Sequence, residues 1–256
     1  MTRIYTLVNQ KGGVGKTTTA INLGAYLAKM GKSVLVVDLD PQANATSSLG
    51  VDKRSVQAST YDALLAGDVP VSSILFNERL QISLLPSSPA LAGAEIELVD
   101  EMGREFKLRK ALESLDGKYD YILIDCPPSL GILTVNGLVA SRDGVLVPVQ
   151  CEYLALEGLG QISQTIERVR SILFPDLSVR GVILTMFDPR TNLSADVVKE
   201  VNNHFPGQVF KSIIPRSIRL AEAPSYGLPI SAYAPNSVGA KAYESLAKEL
   251  LVGDGK

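Results

Sequence analysis

The 256-residue chain has no tryptophan, one histidine, two cysteines and only 6% aromatic residues. Two cysteines build no disulfide framework, and that usage suits a reducing compartment. His204, the lone histidine, reads as a solvated helix-end residue without a role. No run of 18 apolar residues occurs, which argues against a membrane-spanning helix. The opening stretch Met1–Val8 is too short an apolar run for a signal peptide. Excess charge of either sign is also missing: 25 basic residues face 27 acidic ones, a net charge of −2. Any nucleic-acid binding must then come from a local patch. There is no internal repeat, low-complexity segment or visible domain boundary. With 46% hydrophobic residues, what remains is a soluble, intracellular α/β protein.

Seven short apolar runs stand out: Ile4–Val8, Val34–Val37, Ile82–Leu85, Tyr121–Ile124, Val145–Val149, Val182–Met186 and Val209–Ile214. Most lack strict alternation, the pattern of strands covered on both faces. Between them lie helical spacings. Ala20, Leu23, Leu27 and Met30 recur on one face before Gly31, and residues 90–115, 155–173, 193–204 and 238–251 read similarly. Residues 42–80 are the least regular. The alternation predicts a single doubly wound, mostly parallel sheet with helices on both faces.

The strongest signal is Gln10-Lys11-Gly12-Gly13-Val14-Gly15-Lys16-Thr17-Thr18, between the first strand and the first helix. Glycines there let backbone N–H groups wrap a polyanion at a helix N-terminus. Lys16 is placed to reach the β and γ phosphates of a nucleotide, and the Thr17 hydroxyl to ligate Mg²⁺. The general phosphate-loop motif wants glycine at position 10, where this chain has Gln10. A second lysine, Lys11, opens the loop instead. Two aspartate clusters follow apolar strands, Asp38-Leu39-Asp40-Pro41-Gln42 and Asp125-Cys126-Pro127-Pro128-Ser129, where ligands collect in open α/β sheets.

Lys-Gly-Gly-Val-Gly-Lys-Thr-Thr resembles the deviant Walker A loop of the ParA/MinD class of P-loop ATPases, with Lys11 in the place of that class's signature lysine. The resemblance implies a nucleotide site of Lys11, Gly12, Gly13, Val14, Gly15, Lys16, Thr17 and Thr18. It gives catalytic roles to Lys11, Lys16 and Asp40, with Lys11 acting across a dimer and Asp40 aiming the attacking water. Mg²⁺ would be held by Thr17, Asp125 and Asp40, with Asp38 in support. Further stretches resemble the ParA/Soj members in particular. These are Asp38–Thr46, Gly93–Leu98, Pro148–Tyr153, Leu156–Leu159, Ile214-Pro215-Arg216 and Glu222–Ser225. In that family the base packs near the Ile-Pro-Arg turn, so Pro215 and, beside it, Met186 are expected at the adenine.

The family likeness implies ATP and Mg²⁺ as cofactors, an ATP-dependent homodimer, non-specific double-stranded DNA and a ParB/Spo0J-type partner that stimulates hydrolysis. The setting would be cytoplasmic and nucleoid-associated. Residues 1–256 are expected to form one P-loop ATPase domain with no separate N-terminal DNA-binding domain. Arginines matching Arg190 and Arg219 form the family's DNA surface. Residues 180–220 carry Arg180, Arg190, Lys199, Lys211, Arg216 and Arg219 against Asp188, Asp196 and Glu200, a net +3. A MinD-like membrane ATPase shares the loop, but the stretch from Ala242 to Lys256 has two lysines and three acids among its ionisable side chains and little attraction for anionic lipid. A redox ATPase with a cluster bridged by Cys126 and Cys151 lacks the expected spacing. A non-enzymatic scaffold fits poorly with intact Lys16, Thr17, Asp40 and Asp125.

Overall fold

Strands without alternation need cover on both faces, and the chain supplies it by returning a helix after almost every strand. The computed structural model describes residues 1–152 and 155–255, with side chains for all of these except 155–157. Tyr153, Lys256 and the side chains of Leu156 and Glu157, quoted in the motifs above, lie outside the described residues.

The order begins with β1 (Arg3–Leu7), α1 (Lys16–Lys29), β2 (Val34–Asp38), α2 (Asn44–Ser48) and α3 (Thr60–Ala66). It continues through β3 (Leu75–Asn77), β4 (Ile82–Leu85), α4 (Leu91–Glu97), α5 (Lys107–Glu113), β5 (Tyr121–Asp125) and α6 (Ile132–Ala140). Then come β6 (Val145–Gln150), α7 (Ala155–Ile172), β7 (Val179–Thr185) and α8 (Asn192–His204). The chain closes with α9 (Ile218–Glu222), α10 (Ile230–Tyr233) and α11 (Val238–Gly253). The strands form one seven-stranded sheet in the order β3-β4-β2-β5-β1-β6-β7. Every pairing is parallel except β3 with β4.

Successive side chains of β1 divide the core. Tyr5 and Leu7 join Leu23 and Leu27 of α1 and Tyr243 and Leu246 of α11 on one face. Ile4 faces the other way, toward α3 to α6. A third cluster packs α7 and α8 on β6 and β7. Helix α11 therefore uses its apolar side on the core, and no helix among the described residues is long and apolar enough to cross a membrane.

Two expectations need correction. Residues 209–214 do not form a strand; only isolated bridges from Val209 to Val182 and from Pro215 to Phe187 remain. The backbone N–H groups of Lys211 and Ser212 donate instead to the Glu249 carboxylate of α11, at 2.7 and 2.9 Å, which ends any ladder. Within the irregular stretch 42–80, β3 adds a short antiparallel edge that no hydrophobic pattern announced.

Opposite the site-bearing edge, Asp254 fastens α11 to the sheet. Its carboxylate accepts hydrogen bonds from Tyr5 (2.8 Å), Tyr121 (3.0 Å) and Arg180 Nη2 (3.1 Å), and its side chain is 2% exposed. Burial, then the Asp254 carboxylate, raises the Tyr5 phenol above its ordinary value. Asp254→Ala leaves a guanidinium and two hydroxyls without their acceptor, at a cost of about 3 kcal/mol. The thermal midpoint should drop by about 6–12 °C. A loss of under about 2 °C in a thermal melt would mean the clasp contributes little to stability.

Candidate functional site

The parallel register brings the chemistry together. Leu7, where β1 ends, pairs with Asp125, and Asp38, where β2 ends, pairs with Asp125 from the other side. Three strand ends thus deliver the loop 9–15 and two aspartates to one edge.

Gly13 (φ 75°) and Gly15 (φ 91°) take left-handed conformations that a side chain would resist. The first turn of α1 has no side-chain cap and no acidic residue, so its N–H groups point outward unclaimed by carboxylates. Lys16 is buried, and its Nζ donates to the carbonyl of Lys11 at 3.2 Å, curling the loop around the position a phosphate would take. Burial lowers its pKa, opposed by the nearby Asp125 charge. Gly12, Val14, Thr17 and Thr18 lie in the same turn, with Lys11 half-exposed at its rim.

Asp125 is fully buried, and neither carboxylate oxygen has a hydrogen-bond donor at bonding geometry. Burial and then the Asp38 charge drive its pKa well up; the neighbouring Thr17 hydroxyl and Lys16 oppose them without matching the burial. An orphaned carboxylate beside a hydroxyl and a uncapped helix end fits a hard cation. Among the described residues no cluster of three or more His, Cys, Asp or Glu forms a cage. One carboxylate, one hydroxyl and phosphate oxygens are the set magnesium accepts.

Asp38 does different work. It accepts from the Thr46 hydroxyl (2.7 Å), the Thr46 N–H (2.8 Å) and the Asp40 N–H (3.2 Å). Burial pushes its pKa up to about 6 against those bonds. It is the anchor of the loop that carries Asp40, whose own Oδ1 accepts from the Gln42 N–H at 2.8 Å. Asp40 is 6% exposed, so its carboxylate sits at the wall of the site.

Pro215 and Met186 meet in one cavity of about 230 Å³, together with Gly15, Thr18 and Tyr243. Met186 carries a positive φ of 53°, rare for a side chain of its size. Two bracing residues escaped the sequence reading. Asn9 donates to the Pro148 carbonyl (2.8 Å) and accepts from the Lys11 N–H (3.0 Å), and Thr185 donates to the Val14 carbonyl (2.8 Å). Their only signal was position at strand ends. Arg190 and Arg219 lie outside this cluster, each already paired, with Asp188 (2.7 Å) and Glu222 (2.9 Å). Cys126 and Cys151 are buried, and burial raises both thiols, Cys151 to about 11, so neither offers a thiolate readily.

A phosphate loop between β1 and α1 with an acidic strand end beside it defines a P-loop α/β protein. The family model described as an AAA domain matches residues 2–179. The chain is 53% identical over 251 residues to the sporulation initiation inhibitor protein Soj of Bacillus subtilis, covering 98% of each. It is 51% identical to the chromosome partitioning protein ParA of Myxococcus xanthus, covering 98% of this chain and 89% of that one. A crystal structure of a Mycobacterium smegmatis protein named cobyrinic acid a,c-diamide synthase, with bound ADP and magnesium, is 41% identical. It superposes with a TM-score of 0.88 over 100% of this chain and 96% of its own. The chain belongs to the Soj/ParA family of chromosome-partitioning ATPases.

If the Asp125 carboxylate is kept for a cation and not for the fold, Asp125→Asn relieves a buried charge. The ligand-free variant should gain about 1–2 kcal/mol, or about 2–8 °C in thermal midpoint. A loss of that size would make Asp125 a structural residue.

Proposed function

We propose that this chain is a Mg²⁺-dependent ATPase of DNA segregation, cycling between a DNA-bound ATP dimer and a released state after hydrolysis. The observation that carries the reading is the orphaned Asp125 carboxylate beside buried Lys16 and the uncapped end of α1. Full-length identity to Soj and ParA supports the cellular role, in a cytoplasmic, nucleoid-associated setting. One sheet runs unbroken from β3 to β7, which supports a single ATPase domain.

In this reading the N–H groups of Gly13 to Thr18 and the Lys16 ammonium bind the phosphates. Thr17 and Asp125 hold magnesium, which supplies neutralisation of charge on the transferring phosphoryl group. Asp38 fixes the loop that holds Asp40, and Asp40 orients the attacking water once it leaves the Gln42 N–H. The base enters the cavity between Pro215 and Met186. Adenine is the base that the family likeness implies for this cavity. Lys11, on the rim, reaches phosphates held by a second copy and so couples dimer formation to bound ATP. A ParB/Spo0J-type protein accelerates the step.

Three variants separate these roles. Lys16→Ala should abolish ATP binding; Lys11→Ala should keep binding but lose the ATP dimer. Asp40→Ala should accumulate as that dimer, because ground-state binding needs no aimed nucleophile. Nucleotide titration with size-exclusion chromatography reads all three. Equal loss of ATP affinity in both lysine variants would refute the action of Lys11 across the dimer, and wild-type turnover in Asp40→Ala would remove Asp40 from the mechanism.

The DNA surface is weaker than its count of cations. Arg190 is tied to Asp188 within the stretch, and Arg180, Arg216 and Arg219 are tied to Asp254, Glu152 and Glu222 outside it, so those three carboxylates offset the local +3. An arginine there must exchange a carboxylate for a phosphate, which a dimer with two such surfaces makes worthwhile. Arg190→Ala and Arg219→Ala should weaken binding to two unrelated duplexes alike. Each should flatten the log–log salt dependence by about two per dimer, while Asp188→Asn should strengthen binding. Unchanged slopes would leave both arginines as solvated surface ion pairs.

A further inference from the structure

The cavity between Met186 and Pro215 has apolar walls, Ile214 and Leu220 among them, and only a few polar side chains. Those polar groups differ in how they are engaged. Thr185 is committed to the Val14 carbonyl at 2.8 Å, and Arg216 to Glu152 at 2.7 Å. The Tyr243 hydroxyl meets that of Thr19 at 3.1 Å and so turns toward α1. Thr18 and Ser217 remain, and neither hydroxyl has a hydrogen-bond partner among the described residues.

Ser217 stands immediately before α9 with an extended backbone (φ −147°, ψ 124°), the position from which a serine ordinarily accepts from first-turn N–H groups. Its hydroxyl makes no such bond. Thr191 and Ser237 precede α8 and α11 in the same way, and they do accept, from the N–H groups of Ser194 (3.4 Å) and Ala240 (3.2 Å). At Ser217 the backbone is set for a cap, yet the side chain is withheld from it and stands half-buried at the cavity wall. A hydroxyl that spends none of its capacity on the fold, at the edge of an apolar cavity, is open to whatever fills that cavity.

We propose that Ser217 is a specificity-determining residue for the base: its Oγ accepts a hydrogen bond from the 6-amino group of an adenine held between Pro215 and Met186. The assignment rests on the nucleotide reading above. Gly15 and Thr18 belong to the phosphate loop, so the sugar end of the nucleoside lies on their side of the cavity, and the Thr18 hydroxyl serves that end. The six-membered edge of the ring is then carried to the turn 214–217. There a hydroxyl accepts from an exocyclic amine and gains nothing from a ring that bears only hydrogen at the same carbon. The contact is separate from the groups that hold the phosphates.

The test compares ADP with purine riboside 5′-diphosphate, which lacks only the 6-amino group, by calorimetric titration of the full chain with Mg²⁺ present. Diphosphates keep hydrolysis out of the measurement, and variant against ligand makes a double cycle. The wild type should prefer ADP by about threefold to tenfold. Ser217→Ala should close that gap by losing affinity for ADP alone, and Ser217→Thr, which keeps a hydroxyl, should preserve it. Thr18→Val should weaken both ligands alike and leave the gap in place. The thermal midpoint of Ser217→Ala should stay within about 1 °C of the wild type, because no cap is lost. A gap that survives in Ser217→Ala overturns the proposal and leaves the amine to backbone carbonyls. So does a gap closed by Thr18→Val. Equal losses for both ligands in Ser217→Ala, with a midpoint lowered by about 2–4 °C, would make Ser217 a helix cap and overturn it too. A wild type that binds both diphosphates equally sinks the Ser217 assignment alone, whereas one that binds neither sinks the nucleotide reading with it.

Discussion

A carboxylate buried without a donor is the constraint around which the site edge is organised. Asp125 sits at the end of β5 between β1 and β2, and its register fixes what stands on either side. On one side is the loop with Lys16, whose buried ammonium is the nearest positive charge; on the other is Asp38, whose like charge makes matters worse. The fold tolerates this because Asp38 is satisfied three times over by Thr46 and Asp40, leaving Asp125 as the carboxylate with bonding capacity to spare. Polar groups of one region are thus sorted into those that hold the structure and those kept vacant of structural duty.

The same division runs across the sheet. At the far edge, Asp254 accepts from two tyrosines and an arginine and leaves no capacity for chemistry. Two buried carboxylates at opposite edges of one sheet therefore have opposite fates, decided by whether donors surround them. Sequence context marked Asp125 as a candidate, since it ends an apolar strand. Asp254 follows the last helix with nothing to mark it, and only the three-dimensional convergence of Tyr5, Tyr121 and Arg180 gives it meaning.

That contrast measures what the sequence could tell. The turn of Gly13, Gly15, Lys16 and Thr17 was legible because a strand–loop–helix junction is a local design, complete within nine residues. Six of the seven apolar runs became strands for a similar reason, as their burial is written in composition. Residues 209–214 failed because Glu249, 37 residues from Ser212, captured the backbone donors a strand would have used. Arginine pairing with Glu152, Glu222 and Asp254 was equally invisible to a charge count over residues 180–220, because those carboxylates come from outside that stretch. Asn9 and Thr185 were missed because bracing a loop is done through carbonyls, which have no sequence identity.

Backbone strain adds a last element to the site edge. Ala43 and Met186 both hold φ at 53° with a side chain present, a conformation that costs of order 1 kcal/mol or more. Ala43 follows Asp40 in the loop after β2, held by its N–H to the Asp40 carbonyl at 2.8 Å. Met186 follows β7 and turns the chain toward Pro215. Both sit where a loop meets the site, one in the loop of the carboxylate proposed to aim water and one beside the proposed base, whereas a third such residue, Gln81 (φ 56°), turns the chain between β3 and β4. Such positions persist only because packing over-determines them: Ser87 holds the Asp40 carbonyl on one side, and Thr185 holds Val14 on the other.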